Sequence, residues 1–265
     1  MARVPVVLSI AGSDSGGGAG IQADLKAFAR CGVHGATAIT AITAQNTIAV
    51  EAVEAISPAM IRAQVRAVAA DLGIDAVKIG MVGGAEAIAA VADVLDELPA
   101  GTPVVLDPVM VAESGARLLP GDAEDSLRSQ LLPRATVATP NLAEARVLAQ
   151  LGEEATAEEL VRAVHALGPK VAIVTGGHRE EATDLLFDGQ QVVALPGERH
   201  PDGAAHGSGC THSATLAARL AIGDDPVSAA RTARMVASEA VRDGLRELGA
   251  GPGPVHVLGA IITRP

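Results

Sequence analysis

Val4-Pro5-Val6-Val7-Leu8-Ser9-Ile10 is a short apolar run, followed closely by the glycine-rich Gly12-Ser13-Asp14-Ser15-Gly16-Gly17-Gly18-Ala19-Gly20 and then by the amphipathic Ile21-Gln22-Ala23-Asp24-Leu25-Lys26-Ala27-Phe28-Ala29-Arg30. The order reads as strand, loop and helix. Residues 36–43 supply a second buried strand, and the same alternation of β-branched runs with longer Ala-rich patterns continues along the chain. Such alternation predicts a parallel sheet covered by helices on both faces.

Further core strands are expected at residues 74–79, 104–106, 136–138 and 171–174, each ending in a loop with chemically unusual residues. That placement matters because open parallel sheets bind ligands at the carboxyl ends of their strands. Residues 50–56 alternate apolar and acidic side chains and predict a half-exposed strand, part of a small flap over a site. Ser57-Pro58 begins a helix in cap and first-turn order. Residues 185–187 and 191–195 flank Asp188-Gly189, a hairpin signal. Helices are expected near 209–221 and 226–244. No linker, internal repeat or low-complexity segment interrupts the pattern, so residues 1–265 are expected to form a single α/β domain, a three-layer α/β/α with a mostly parallel central sheet.

Composition narrows the function classes. The hydrophobic fraction of 49% suffices for a sizeable core, but only Phe28 and Phe187 are aromatic, so no stacking platform for single-stranded nucleic acid exists. A formal net charge of -11 argues against nucleic-acid binding, which rests on clustered Lys and Arg. Cys31 and Cys210 form no framework and have no zinc-ligand spacing, which predicts a cytoplasmic location. No run is long and apolar enough to predict a membrane span.

The chemistry gathers around His206-Gly207-Ser208-Gly209-Cys210-Thr211. Two glycines before a helix allow a tight turn whose N–H groups, with the helix dipole, form an anion site. Cys210 is expected near the first helical position, where a helix N-terminus lowers a thiol pKa from about 8.5 towards roughly 3.5–7.5. It should then be the more reactive thiol. The loop Gly12–Gly20 lacks the P-loop ending and the dinucleotide fingerprint spacing, yet suits close backbone approach by a ligand. Asp107 follows an apolar strand, and Asn141 with Glu144 opens the next helix at three-residue spacing; these oxygens suit Mg²⁺ held through waters and phosphate, or equally a helix cap. Thr175-Gly176-Gly177-His178 is a further glycine turn after a strand. His34, His165 and His212 have no partner pattern and read as structural or exposed.

Taken in order, Ala11–Lys26, Thr43-Ala44-Gln45-Asn46-Thr47, Lys78-Ile79-Gly80-Met81, Leu106-Asp107-Pro108-Val109-Met110, Thr139-Pro140-Asn141, the His206–Thr211 turn and Gly253-Pro254-Val255-His256 resemble the hydroxymethylpyrimidine/phosphomethylpyrimidine kinases of thiamine biosynthesis, within the ribokinase-like superfamily. The resemblance implies a ribokinase-like fold, ATP with Mg²⁺, and phosphorylation of 4-amino-5-hydroxymethyl-2-methylpyrimidine and then of its monophosphate. It implies Gly12, Asp24, Gln45, Met81 and Val109 as substrate-binding, Gly207, Ser208, Gly209 and Cys210 as catalytic, and Asn141, Thr175, Gly176 and Gly177 as nucleotide-binding. Asp107 and Glu144 would serve the metal. A homodimer is compatible with it, as dimers are common in the superfamily. Rivals are a pyridoxal-type kinase on the same fold and a non-catalytic pyrimidine-binding module. Two departures stand out: the family usually has Lys where this chain has Thr175, and Thr-Lys-Asn-Thr where it reads Asp202-Gly203-Ala204-Ala205.

Overall fold

In the computed structural model, which describes residues 3–111, 119, 121–176 and 182–259, nine strands form one sheet. They are β1 (Val6–Asp14), β2 (His34–Gln45), β3 (Val50–Ala55), β4 (Ala76–Ile79), β5 (Val104–Leu106), β6 (Val137–Ala138), β7 (Val171–Val174), β8 (Asp184–Phe187) and β9 (Val192–Leu195). Their spatial order is β3-β2-β1-β4-β5-β6-β7-β8-β9. The six from β2 to β7 are parallel, while β3 at one edge and the β8–β9 hairpin at the other run antiparallel.

Eight helices accompany the sheet among the described residues: α1 (Gly20–Arg30), α2 (Pro58–Asp71), α3 (Ala85–Asp96), the single turn α4 (Glu124–Ser126), α5 (Leu142–Ala149), α6 (Ala157–Ala166), α7 (Ser208–Ile222) and α8 (Pro226–Arg242). Successive strand residues point to opposite faces, and the core divides accordingly. Leu8, Ile10, Val77, Ile79 and Leu106 pack with Ile61 of α2, Ile88 of α3, Leu148 of α5 and Leu160 of α6. Val7, Val105, Val137 and Ile173 pack with Phe28 of α1, Leu216 of α7 and Ala233 of α8. The three layers expected from the alternation are present.

Local chemistry explains the element ends. Ser57 Oγ accepts from Met60 N with Pro58 in the first turn of α2, and the Asp225 carboxylate caps α8 ahead of Pro226. Asp188 Oδ1 accepts the N–H groups of Gln190 and Gln191, each at 2.8 Å, and sets the β8–β9 turn. Two expectations are corrected. β1 runs through Gly12 to Asp14, because after a bulge β2 continues to offer pairing partners to Ser13 and Asp14. β3 is nearly all exposed rather than half-exposed, since it is an edge strand paired only with β2.

Candidate active site

A cavity of about 440 Å³ opens where the carboxyl ends of β1, β2 and β4 to β7 meet the start of α7. Gly12, Gln45, Met81, Val109, Asp107, Asn141, Glu144, Thr175, Gly207, Ser208, Gly209 and Cys210 all line it, so most of the sequence-derived site residues converge on one space. Asp24 and Gly176 stand behind the lining, and Gly177 lies outside the described residues.

At the centre is the turn into α7. Gly207 is its N-cap with φ 87°, and no side chain caps the helix. A Cβ at Gly207 would also sit 1.8 Å from the Gly18 carbonyl oxygen, so conformation and contact both demand glycine. Ser208 N donates to Ala205 O and Thr211 N to Gly207 O, whereas the N–H groups of Gly209 and Cys210 carry no partner among the described residues. Unpaired N–H groups at a helix start, open to a cavity, favour an anion.

Cys210 is the third helical residue, not the first, and its thiol is not activated. Burial pushes it up to about 12; Lys78 and the Gly20 N–H work downward, and the carboxylates Asp24 and Asp107 add to the rise. Desolvation therefore overrides the helix dipole, and the expected low-pKa thiolate is replaced by a neutral Sγ–H. Burial also raises the Cys31 thiol, so neither cysteine is a ready nucleophile.

Asp107 ends β5 and accepts Ser213 Oγ of α7 at 2.8 Å. Asn141 and Glu144 realise the capping alternative: Asn141 Oδ1 accepts Glu144 N at 3.0 Å, and Glu144 Oε2 accepts Asn141 N at 2.9 Å. The cap does not remove Glu144 from the chemistry, because it still lines the cavity. Burial, with the nearby charge of Asp107, pushes its carboxyl up to about 8 against the N–H groups of Asn141 and Met110. Two neighbouring buried carboxylates, one of them raised by burial and by the charge of the other, form a donor set that a divalent cation relieves. No group of three or more His, Cys, Asp or Glu side chains placed to hold a metal occurs among the described residues. The set therefore fits Mg²⁺, which keeps waters and takes phosphate oxygens alongside one or two carboxylates.

The other end of the cavity suits a small ring. Gly12 leaves room for Met81, whose Cε lies 2.2 Å from where a Cβ would stand. Thr40 Oγ1 donates to the Met81 carbonyl at 2.6 Å, and Thr43 Oγ1 lies 3.1 Å from Gln45 Oε1 and steadies that amide. Asp24, expected to touch substrate, instead accepts Ser9 Oγ at 2.5 Å and the Lys78 ammonium at 2.9 and 3.0 Å. Its carboxylate is fully buried and faces Lys78 rather than the cavity.

The glycine loop also turns inward. The N–H of Gly16 donates to Asp14 Oδ1 at 2.8 Å, those of Gly18 and Ala19 to Oδ2 at 3.0 and 2.8 Å, and His206 Nε2 approaches Oδ2 at 3.1 Å. The loop thus serves as a socket for its own carboxylate, locked to the α7 turn. Likewise the Gly176 N–H donates to Asp184 Oδ1 at 2.7 Å and is not offered to phosphate. His212, read from sequence as unpartnered, lies 3.4 Å from Asp184 Oδ2, and both line the cavity with Arg234. Sequence reasoning missed Lys78, Asp14, Asp184 and Arg234. A lysine inside the apolar Ala76-Val77-Lys78-Ile79 was the available signal, since such a charge is almost never buried unpaired.

One cavity end offers unpaired N–H groups and carboxylates suited to a divalent cation, as phosphoryl transfer requires, and the other accepts a small polar ring; on this fold the combination defines a ribokinase-like small-molecule kinase. The family model for phosphomethylpyrimidine kinase matches residues 14–256, and the chain belongs to that family. It is 51% identical over 257 residues to the hydroxymethylpyrimidine/phosphomethylpyrimidine kinase of Rhizobium meliloti (strain 1021), covering 95% of this chain and 96% of the relative. The kinase of the same description from Synechococcus elongatus is 44% identical, covering 95% and 97%. Among solved structures, the ADP complex of Bacillus subtilis pyridoxal kinase has a TM-score of 0.87 at 38% identity, covering 96% of this chain and 97% of that one. Phosphomethylpyrimidine kinase from Clostridium difficile has a TM-score of 0.78 at 36% identity, covering 90% and 100%.

Proposed function

We propose that this protein uses ATP to phosphorylate 4-amino-5-hydroxymethyl-2-methylpyrimidine to its monophosphate, and the monophosphate to the diphosphate, in thiamine biosynthesis. The carrying observation is that Gln45, Met81 and Val109 share one cavity with the uncapped α7 turn and the Asp107–Glu144 pair. Gln45 supplies amide hydrogen bonds to the aminopyrimidine, while Met81 and Val109 supply its apolar walls. The acceptor oxygen bonds to the γ-phosphorus as the bond from that phosphorus to the β–γ bridging oxygen breaks, leaving its electron pair on ADP. The hydroxyl proton departs late, onto a phosphate oxygen and then to solvent, as a loose transition state allows. The Gly209 and Cys210 N–H groups meet the charge on the phosphoryl oxygens. Cys210, as a neutral thiol, orients the acceptor hydroxyl. Asp107 and Glu144 would hold Mg²⁺ through its waters, and the ion would supply neutralisation of phosphate charge.

A second reading is favoured by one observation: pyridoxal kinases are among the structures it resembles, at TM-scores of 0.87 and 0.88. Pyridoxal also presents a hydroxymethyl group on a small heteroaromatic ring. A coupled ATP-consumption assay with the pyrimidine, its monophosphate and pyridoxal separates the readings: turnover of pyridoxal alone would overturn the first. Binding of the pyrimidine without turnover of either substrate would establish a non-catalytic binding module. No helix among the described residues is long and apolar enough to cross a membrane, and the cytoplasm is the location proposed. A homodimer through the exposed Ile42, Ile48 and Val53 of the β2–β3 flap is proposed as well, testable by light scattering.

A further inference from the structure

A buried charge pair adds little to stability, because desolvation consumes most of its attraction and an apolar pair of similar volume usually serves as well. Lys78 and Asp24 nevertheless form one, with neither side chain open to solvent, in a strand whose other residues are apolar. The parallel register places Ser9 beside Lys78, and both point to the face that carries α1 and α7. Ser9 Oγ fixes Asp24 Oδ2, and Asp24 fixes the ammonium. Gly80 leaves the ammonium its space, since a Cβ there would lie 2.8 Å from Lys78 Nζ. Lys78 sits in the cavity floor, and α7 packs across β4 and β1 just above. Lys78 acts electrostatically on Cys210, and Asp107 acts on Lys78.

We propose that Lys78 is a positioning residue for phosphoryl transfer: held by Asp24 and Ser9 beneath the first turn of α7, it supplies the fixed positive charge that orients Cys210 and offsets the negative charge arriving at the acceptor oxygen. This rests on the kinase reading of the site. With no exposed surface, Lys78 acts through Cys210 and the local field and does not touch a ligand atom. A fully buried ion pair set in the floor of a cleft marks a functional-site candidate. The family resemblance assigned this corner to Asp24; the structure assigns the active charge to the lysine that Asp24 holds.

The test compares Lys78→Met, Asp24→Asn and the double variant Lys78→Met/Asp24→Leu. The double variant removes the pair without leaving a lone buried charge, so its melting temperature should return near wild type. Its kcat for the pyrimidine should still fall by about tenfold or more, below the roughly 10²–10³ of a direct donor, with KM changed less than about threefold. Recovery of kcat together with stability overturns the proposal. Should the double variant fail to fold, Ser9→Ala retains both charges while loosening Asp24; an unchanged kcat there overturns the proposal, and a several-fold loss at constant KM supports it. If wild type phosphorylates neither alcohol nor monophosphate, the kinase reading fails by itself. The coupling is then read from iodoacetamide alkylation of Cys210 at fixed pH in a Cys31→Ser background: slower reaction in the double variant supports it, and equal rates overturn it.

Discussion

The Lys78 ammonium lies 2.9 Å from Asp24 Oδ1 and 3.0 Å from Asp24 Oδ2, with both side chains fully enclosed. Burial works against the lysine's charge, but the Asp24 carboxylate, helped by Asp107, outweighs it and holds Lys78 firmly protonated. Burial raises Asp24 as well. The pair stays ionic because Lys78 and Ser9 both donate to the carboxylate. Removing one partner leaves the other as an uncompensated buried charge.

Asp24→Ala should therefore destabilise the fold by about 3–5 kcal/mol in urea unfolding, as breaking buried pairs does. A loss under about 1 kcal/mol would mean that Lys78 finds another acceptor or loses its proton at little cost.

Cys210 should react slowly. At pH 8 a thiol with its pKa near 12 is ionised to roughly one part in ten thousand, so alkylation should lag a free cysteine by at least about 10²-fold. Cys210→Ser preserves a small neutral hydroxyl and should keep kcat within about tenfold. Cys210→Asp adds a carboxylate beside Asp24 and Asp107, with Lys78 the neighbouring cation, and should be worse than Ser. Equal or better turnover by the Asp variant would show that a proton acceptor at this position serves the reaction.

The Glu144 carboxyl makes Mg²⁺ binding pH-dependent. Between its ordinary 4.5 and about 8, the folded protein holds a proton that the unfolded chain has released. Glu144 therefore favours folding fully below pH 4.5, and this contribution is lost as pH rises through about 8. Mg²⁺ needs the ionised form, so its thermal stabilisation should be larger at pH 8.5 than at pH 6.5. Glu144→Gln keeps an acceptor for Asn141 N and should fold normally, yet lose both the Mg²⁺ shift and most activity. EDTA should abolish activity in wild type. A Gln variant with a sharply lower melting temperature and intact kinetics would leave Glu144 as a helix cap alone.

Much of this was legible because periodicity and strand ends are local properties. The run Val104-Val105-Leu106 announces a buried strand, and Asp107 after it announces a site. The α7 turn was legible because only glycine tolerates φ 87° at Gly207. What sequence could not supply was the partner of each polar group. Asp14 sits among glycines like any loop acid, and only the folded chain brings His206 to it across 192 positions. The thiol failed for the same reason: the helix start is written locally, whereas the burial that outweighs it and the carboxylates that add to the rise, Asp24 of α1 and Asp107 after β5, come from distant parts of the chain. Gly176 reads as a phosphate loop until β8 delivers Asp184 to its N–H.

The last prediction concerns Thr175, which lines the cavity at a position where the family resemblance implies a lysine. Gly203 and Ala205, in the segment where the resemblance implies a second lysine, line it too, so neither expected ammonium group is present there. Arg234 reaches the same wall, but it donates to the Ala182 carbonyl and its Nε lies 3.8 Å from Asp184 Oδ1, so its charge is largely offset. Apart from Lys78, which Asp24 neutralises in the floor, Arg199 is the remaining full cation of the lining among the described residues. The deficit should weigh most on the second phosphorylation, whose acceptor is a phosphate monoester carrying roughly two negative charges. The free alcohol should accordingly be the better substrate, and Thr175→Lys should raise kcat/KM for the monophosphate more than for the alcohol, since an ammonium stabilises converging phosphate charge that a hydroxyl cannot. Steady-state kinetics on both acceptors decide the matter. An equal effect on the two steps, or a loss in both, would show that Arg199 or Arg234 already fills the place of the missing lysines.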